Sequence, residues 1–316
     1  MRARALIGLL LLAACFALPD HPAAQPNPLA GYALYVDPGA QSAAAAREPG
    51  QEPLRAIAVE PTARWFDSAI PADRLSAAVD DYVSAAGPAL TVLVAYAIPH
   101  RDCGTGPGTG AADAGAYRHW IDRFATGIGH RHTVVVLEPD ALAHTSCLTP
   151  EQAAERTRLL AYAVDRLTVD PRVAVYVDGG NSHWLPADEL ARRLVAVHAW
   201  RARGFSLNVA NFYRTETERA YGDAVVARLG FGHYIVDTSR NGTGPPPEGP
   251  GSWCNPWERG LGLPPSIVTG STPADADLWI KRPGESDGSC APGQPSAGTW
   301  WPAYAYDLVK RRELPG

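Results

Sequence analysis

The chain has 316 residues, a length that suits either two domains or one large α/β barrel preceded by a short leader. Its apolar share of 46% excludes a disordered or low-complexity protein. The formal net charge of -5, without a block of like charge, argues against nucleic acid or an anionic membrane as a partner and fits a neutral ligand.

The N-terminus has the pattern of a secretory signal. Arg2 and Arg4 precede an apolar run over Ala5–Leu18, which is too short to span a bilayer but fits the hydrophobic part of a signal peptide. The four residues that end at Cys15 resemble a bacterial lipobox. Two alternatives therefore stay open: a lipid anchor on Cys15 at the outer face of the membrane, or ordinary cleavage farther along with release of the protein.

Four cysteines follow this leader, namely Cys103, Cys147, Cys254 and Cys290. An even number in an exported chain predicts two disulfides, for which three pairings are possible. Proximity along the chain favours Cys103 with Cys147 and Cys254 with Cys290. A zinc site is disfavoured because no CxxC pair occurs and the nine histidines are scattered, so neither a metal nor a cofactor is predicted.

Short β-branched runs alternate with segments of helical periodicity through the rest of the chain. The predicted strands are Thr91–Ile98, Thr133–Leu137, Val173–Val177, Phe205–Val209, His233–Val236 and Asp277–Ile280. The predicted helices are Ala72–Ala86, Tyr117–Ile128, Glu151–Leu167, Ala187–Arg203 and Glu216–Leu229. This alternation predicts a parallel sheet covered by helices, and the continuously apolar strands fit burial on both faces.

Polar side chains follow each of these strands. They are Arg101, Asp102, Glu138, Asp140, Asp178, Asn208, Asn211, Asp237, Arg240, Lys281, Glu285 and Asp287. Because parallel strands have their carboxyl ends on one side of the sheet, we expect these groups to converge on one cleft. For any single one of them, a cap or turn role is the alternative.

Two carboxyl groups are candidates for acid catalysis. Asp140 follows an apolar strand, where lost hydration raises the pKa of a carboxyl group into the range that a general acid needs; the alternative is a helix N-cap. Asp102 adjoins Cys103, whose expected partner Cys147 lies just beyond Asp140. The two carboxyl groups are therefore predicted to lie close together, with Asp102 supporting the acid, unless Asp102 forms only a surface ion pair with Arg101.

Further residues suit a sugar ligand. Lys281, Glu285 and Asp287 offer a donor, an acceptor and a third carboxylate, although the Pro-Gly and Asp-Gly steps around them also suit an ordinary turn. Aromatic side chains in or beside loops offer flat faces that stack on a pyranose, with a core position as the alternative. They are Trp65, Tyr96, Trp184, Trp253 and Trp257. Carboxylates and loop aromatics together predict a carbohydrate as the ligand.

With these residues assembled, the chain resembles glycoside hydrolase family 6, a family of inverting cellulases that includes endoglucanases and cellobiohydrolases. The resemblance covers roughly residue 28 to the C-terminus. It rests on AIPHRDC ending at Cys103, LEPDAL from Leu137, YVDGGNSHWL from Tyr176, NVANFY from Asn208, VDTSRNG from Val236, WCN from Trp253 and WIKRPGESDG from Trp279. The arginine-rich, exported form further resembles actinobacterial members.

The resemblance implies a distorted, incompletely closed parallel β/α barrel with an open active-site cleft, formed by residues 29–316 after a leader of residues 1–28. It makes Asp140 the general acid and Asp102 the carboxylate that tunes it and helps relay a proton. Asp287 occupies the position proposed for the base, with a water chain that relays the proton through Asp102 as the alternative. Substrate contacts are expected at Trp65, Tyr96, Asp178, Asn181, Trp184, Asn208, Trp253, Lys281 and Glu285. Asn181 stands where the family usually has histidine, which removes a titratable sugar contact.

The expected activity is inverting, internal hydrolysis of β-1,4-glucan by a secreted monomer. Internal attack is expected because the segments Asp102–Asp140 and Gly288–Trp300 are too short to enclose the cleft as processive family members do. Inversion predicts acid and base carboxyl groups about 6.5–9.5 Å apart. The alternatives are an exo-acting cellobiohydrolase, a non-catalytic glucan-binding protein of the same fold, and a metal-dependent hydrolase with Asp and His ligands.

Overall fold

The computed structural model describes residues 26–104 and 110–312, without the side chain of Cys103. The leader and Cys15 lie outside these residues. The strands are β1 Arg64–Asp67, β2 Thr91–Tyr96, β3 Thr133–Leu137, β4 Val173–Asp178, β5 Gly204–Leu207, β6 His233–Asp237, β7 Ser266–Ile267 and β8 Ala274–Leu278. In this part of the chain they form one eight-stranded sheet in the order β1-β2-β3-β4-β5-β6-β8-β7.

The sheet is an incompletely closed barrel. Neighbouring strands from β1 to β6 and the β6–β8 pair are parallel, whereas the short β7 runs antiparallel to β8. Between the two outer parallel strands, the described residues form one isolated bridge, which joins Thr62 to Trp279 and includes the Ala63 N–H donating to the Trp279 carbonyl at 3.0 Å. The predicted fold class is confirmed.

Helices follow most of the strands and cover the outer face. They are α1 Gln41–Ala45, α2 Arg55–Ala58, α3 Ala72–Ala85, α4 Ala114–Ile128, α5 Pro150–Leu167, α6 Ala187–Ala196, α7 Thr215–Leu229 and α8 Pro302–Lys310, with 3₁₀ turns at Glu52–Leu54 and Arg101–Gly104. The start of α5 is defined by a capping box, in which the Gln152 N–H donates to the Thr149 hydroxyl and the Gln152 side chain accepts from the Thr149 N–H. This cap sets where α5 leaves the loop after β3.

Alternate side chains of the strands pack into two apolar layers. Val134 and Val136 of β3 point into the barrel interior, where they join Tyr176 and Ile235, whereas Val135 and Leu137 pack against the covering helices. Burial on both faces explains why the strands are apolar at every position. It also leaves the strand ends as the place where polar side chains from several strands meet.

The observed elements differ from the predictions at several places, and three of these differences have a physical reason. The strand predicted over Asp277–Ile280 begins earlier, at Ala274, because the buried Asp275 and Asp277 form ion pairs that make acidic residues acceptable within a strand. The helix predicted to reach Arg203 ends at Ala196, and His198 takes a left-handed φ of 61°. β1 was not predicted, since its four residues include charged ones at both ends.

No helix within the described residues is both long enough and apolar enough to cross a bilayer.

Candidate active site

Glu138, directly after β3, is a buried strut between two strand ends. Its carboxylate accepts the backbone N–H groups of Ala97 and Ile98 at 3.0 Å and is fully shielded from solvent. Burial raises the pKa of Glu138 to about 7, although the two N–H groups oppose that rise. The strut fixes the β2 end, and hence the Asp102 segment, relative to the β3 end, which carries Asp140.

Asp140 has the environment of a proton donor. Its side chain is half-buried, its φ is 70°, and within the described residues its carboxyl group has no hydrogen-bond or ion-pair partner. Burial raises the pKa of Asp140 well above the ordinary range, and the nearby negative charges of Asp178 and Asp102 raise it further. A carboxyl group with no cation beside it and two acidic neighbours holds its proton at neutral pH.

Asp178, at the end of β4, holds the backbone of Asp140 by a hydrogen bond. It is fully buried; one oxygen accepts the N–H groups of Asp140 at 2.8 Å and Gly180 at 3.1 Å, and the other accepts the Ser206 hydroxyl at 2.9 Å. Burial raises the pKa of Asp178 to about 7, against the effect of these donors. Its complete burial argues against the direct sugar contact expected from the sequence.

Asn208 is buried in a similar way. The side chain is fully buried, its amide donates to the carbonyls of Tyr213 at 3.0 Å and Asp237 at 2.8 Å, and its oxygen accepts the Tyr213 N–H at 3.1 Å. Every polar atom of the side chain is therefore committed to the backbone. Asn208 thereby holds the loop after β5.

Asp102 lies near Asp140 and is partly exposed to solvent. Its side chain is 44% exposed, and its two oxygens accept the Tyr96 hydroxyl at 3.0 Å and the Arg101 Nε–H at 3.2 Å. The Arg101 guanidinium also lies 3.9 Å from the centroid of the Tyr96 ring. The ion pair considered from the sequence is present, and Asp102 still lies close enough to raise the pKa of Asp140.

Tyr96 and Trp65 form an aromatic corner beside these carboxyl groups. Their rings meet edge to face at 5.2 Å, and the Trp65 indole N–H donates to the Ile280 carbonyl at 2.8 Å. Burial raises the pKa of Tyr96 well above its ordinary range, followed by the charges of Asp140 and Asp102. Tyr96 therefore stays neutral and acts as a hydrogen-bond donor to Asp102.

Asp287 has the opposite environment from Asp140. Its side chain is 6% exposed and pairs with Arg240 at 2.8 Å and Lys281 at 3.0 Å, while the Asn255 N–H donates to it at 2.9 Å. Burial acts to raise its pKa, but the two cations outweigh it and bring the pKa of Asp287 to about 2. Asp287 is therefore ionised, and it is a weak proton acceptor.

Hydrogen bonds connect Asp287 and its two cations to Asp237 at the end of β6. Asp237, fully buried at the end of β6, accepts the N–H groups of Lys281 at 2.9 Å and Ala210 at 3.0 Å. Arg240, which pairs with Asp287, donates to the Ala210 carbonyl at 2.5 Å. The charge of Asp237 in turn raises the pKa of Asp178. The ends of β3, β4, β6 and β8 thus share one polar region.

Glu285 and Asn181, expected as sugar contacts, are engaged mainly with the protein. Glu285 is almost fully buried and contacts the Gln41 amide and the Arg282 guanidinium, both at 2.8 Å. Asn181 is also buried, and its oxygen accepts the His183 N–H at 3.0 Å. Both residues shape the loops around the site.

Three of the expected stacking residues are exposed to solvent. Trp184 is 37% and Trp253 57% exposed. The Trp184 ring lies over Gly180, where a Cβ atom would lie 2.7 Å from the ring and where φ is 75°, so glycine is required there. Trp257 is also exposed, and its ring meets Trp301 edge to face at 5.2 Å.

The cysteine pairing is confirmed where it is described. Cys254 and Cys290 form a disulfide that links the loop carrying Trp253 to the segment after Asp287. Cys147 is also disulfide-bonded, but the side chain of Cys103, its expected partner, lies outside the described residues. Within residues 26–104 and 110–312, no cluster of three or more His, Cys, Asp or Glu side chains is arranged to hold a metal ion.

Comparison with known proteins identifies the family of the chain. The family model described as "Glycosyl hydrolases family 6" matches residues 29–312. The chain belongs to this family. It is therefore a glycoside hydrolase of the cellulase family, and the resemblance inferred from its motifs is confirmed.

Individual family 6 proteins are similar over most of the chain. Endoglucanase 1 of Streptomyces halstedii is 42% identical over 313 residues, which cover 94% of both proteins. Endoglucanase A of Cellulomonas fimi is 39% identical over 90% of this chain, which spans 62% of that longer relative. The structure of the endoglucanase Cel6 from Mycobacterium tuberculosis with methyl-cellobiosyl-4-deoxy-4-thio-β-D-cellobioside matches with a TM-score of 0.87 at 49% identity, covering 90% of this chain and 99% of that one.

Proposed function

We propose that the chain hydrolyses internal β-1,4 bonds of glucans with inversion, and that Asp140 is the general acid. The observation that carries this proposal is the Asp140 carboxyl group, half-buried, without a hydrogen-bond or ion-pair partner in the described structure and with a raised pKa. Such a group can donate a proton to the departing glycosidic oxygen. General acid catalysis of this kind accelerates a reaction by about 10²–10⁴-fold.

Asp102 and Tyr96 assist this acid. Tyr96 donates to Asp102, and the charge of Asp102 raises the pKa of Asp140. As Asp140 becomes an anion during bond cleavage, the proton that Asp102 takes up from the attacking water passes on to Asp140, which restores both carboxyl groups for the next cycle.

The attacking water loses its proton by a different route. A carboxylate with a pKa of about 2, paired with two cations, accepts a proton poorly, so direct deprotonation by Asp287 is disfavoured. We assign the proton to a water relay that ends at Asp102, whose side chain is 44% exposed. Asp287 then serves to fix Arg240 and Lys281 at the water side of the cleft.

Internal attack fits the open cleft. Trp184 and Trp253 expose their rings to solvent, and the segments after Asp102 and Asp287 are short. The relatives cited above are named endoglucanases, and the ligand of the structural neighbour is a thio-linked cello-oligosaccharide, which supports a β-1,4-glucan substrate. Residues 29–316 form the catalytic domain in this proposal, and residues 1–28 are an export leader that ends in release or in a lipid on Cys15. A monomer is sufficient.

One experiment tests the reaction and its rivals. Purified protein is incubated with cellohexaose in deuterated buffer, and the anomeric protons of new reducing ends are followed by NMR; α-anomers at early times are expected. On carboxymethylcellulose, viscosity falls faster than reducing ends appear if attack is internal. Cellobiose alone as product would indicate the cellobiohydrolase, binding without products the glucan-binding protein, and loss of activity on chelation the metal-dependent hydrolase.

A further inference from the structure

Arg156, in the second turn of α5, is a buried cation placed between two loops. One loop, residues 97–104, carries Asp102; the other, residues 138–148, carries Asp140. We propose that Arg156 is a positioning residue that fixes the Asp140 carboxyl group relative to Asp102 and thereby sets the efficiency of proton donation. This inference rests on the proposed role of Asp140 as the acid.

The guanidinium divides its donors between the two loops. Nη2 donates to the carbonyls of Pro99 at 3.3 Å and His100 at 2.6 Å in the Asp102 loop. Nη1 donates to the carbonyls of Ala141 at 3.3 Å and His144 at 2.9 Å in the Asp140 loop. One rigid planar group thus spans both loops, which the flexible point charge of a lysine cannot do equally well.

The bond to His144 reaches Asp140 in one further step. The His144 N–H donates to the Asp140 carbonyl at 2.7 Å, so the backbone of His144 links the guanidinium to Asp140. On the opposite side, the Asp178 carboxylate holds the Asp140 N–H at 2.8 Å. Asp140 is therefore held by hydrogen bonds at both its backbone N–H and its carbonyl group.

The held backbone is strained. His100, Asp102 and Asp140 all adopt left-handed conformations, with φ of 56°, 53° and 70°. A non-glycine residue in this region is strained and persists only where surrounding contacts determine its conformation. The carbonyls that Arg156 binds lie within one to four residues of the strained carboxylates, so the arginine supplies such contacts.

Arg193 provides a matched comparison. It also binds the Asp140 loop, donating to the carbonyls of Leu142 at 2.8 Å and Ala143 at 3.3 Å and to the Thr145 hydroxyl at 3.1 Å. Its carboxylate partner is Glu189, one turn away in α6. None of its bonds in the described structure reaches the Asp102 loop, so removing Arg193 loosens one loop without uncoupling the two.

The test separates proton donation from folding by varying the leaving group. Hydrolysis of cellotetraose releases a sugar hydroxyl group, which needs a proton from Asp140. Hydrolysis of β-cellobiosyl fluoride releases fluoride, which needs a proton far less. The measured quantity is the ratio of kcat on cellotetraose to kcat on β-cellobiosyl fluoride. Because both rates scale with the amount of folded enzyme, the ratio does not depend on how much of a variant is folded.

We expect Arg156→Met to lower kcat on cellotetraose about 100-fold, as expected for a displacement of about 1 Å, and to lower kcat on the fluoride less than about threefold. KM on cellotetraose changes little. Arg156→Lys, which keeps the charge, gives an intermediate ratio and is the variant of choice if the methionine variant does not fold. Arg193→Met keeps the wild-type ratio.

The ratios measured for the variants test the positioning role of Arg156 and the role of Asp140 separately. An unchanged ratio in both Arg156 variants, or an equal fall in the ratio for Arg193→Met, overturns the positioning role. Asp140→Asn is measured alongside and must lower the ratio at least as far as Arg156→Met. If Asp140→Asn keeps the wild-type ratio, the proposed acid is wrong and the proposed function fails at that point; if only the Arg156 variants keep it, this inference alone fails.

Discussion

The two ends of the polar region contain the same residue type in opposite protonation states. Asp140 has acidic neighbours, no cation partner in the described structure, and a pKa raised well above its ordinary range. Asp287, whose side chain is 6% exposed, lies between Arg240 and Lys281, and its pKa is about 2. Burial alone acts in the same direction on both carboxyl groups. The neighbours therefore decide which aspartate donates a proton and which stays charged.

The largest expected effect is on the protonated side. Asp140→Asn removes the proton donor without changing the size of the side chain, so kcat on cellotetraose should fall about 10³–10⁴-fold. The asparagine keeps the backbone N–H that Asp178 accepts, so the fold and the affinity for cello-oligosaccharides should persist. Reducing-sugar assays measure the first and titration calorimetry the second. Substantial activity in this variant would contradict the assignment of the acid.

On the ionised side the main effect is on stability. Asp287→Asn leaves Arg240 and Lys281 buried without their carboxylate, which should cost about 3–5 kcal/mol in the free energy of unfolding by urea. The double variant with Lys281→Met removes one of the two cations and should recover part of that loss. A cost below about 1 kcal/mol for Asp287→Asn would show that the ion pairs do not hold this side together.

The lowered pKa of Asp287 also gives a direction with pH. Because the pKa is lower in the folded state, about 2 against an ordinary 3.8, the ionised carboxylate stabilises the fold above about pH 4. That contribution is lost as the pH falls toward 2. In Asp287→Asn, the unfolding free energy should therefore depend less steeply on pH between about 4 and 2 than in the unchanged protein.

Comparison of these two sides also shows what sequence could predict. The alternation of apolar runs and helical segments predicted the parallel barrel, and strand-end positions brought Asp140, Asp102 and Asp287 to attention. Whether a strand-end side chain points into the cleft or beneath it was not predictable. Asp178 and Asn208 follow the same pattern as Asp140 but point toward β5 and toward the backbone of the next loop.

The supporting residues were harder to find. Arg156 lies inside a helix whose buried face was recognised by its apolar residues, so a buried cation on that face gave no signal. Glu138 follows β3 as Asp140 does, and its role as a strut depends on where the β2 backbone runs. The cations around Asp287 come from the ends of β6 and β8, 41 residues apart in sequence between Arg240 and Lys281, and their meeting depends on the sheet order.

The pH profile of activity depends on the protonation of Asp140 and Asp178. Asp140 acts while protonated, so activity should fall as the pH rises through the pKa of the Asp140–Asp178 pair, for which Asp178 has a value of about 7. Asp178→Asn removes one of the charges that raise the pKa of Asp140, so this limb should move to lower pH. The asparagine oxygen can still accept the N–H groups of Asp140 and Gly180. A limb that stays in place would mean that Asp178 is already neutral when Asp140 titrates.

The smallest expected effect concerns the aromatic residue on each side. Trp184 follows the Asp178 strand, and Trp253 lies two residues before Asn255, whose N–H binds Asp287. Replacing either by alanine removes a stacking surface worth about 0.5–1.5 kcal/mol, so KM on cellohexaose should rise roughly three- to tenfold with kcat nearly unchanged. Trp200 is the matched control: its side chain is as exposed as that of Trp253, at 57%, but it precedes β5 and so lies toward the opposite end of the barrel. An equal rise in KM for Trp200→Ala would mean that exposed tryptophans act through general surface adsorption, whereas a rise for only one of Trp184 and Trp253 would locate the bound sugar on that side of the acid.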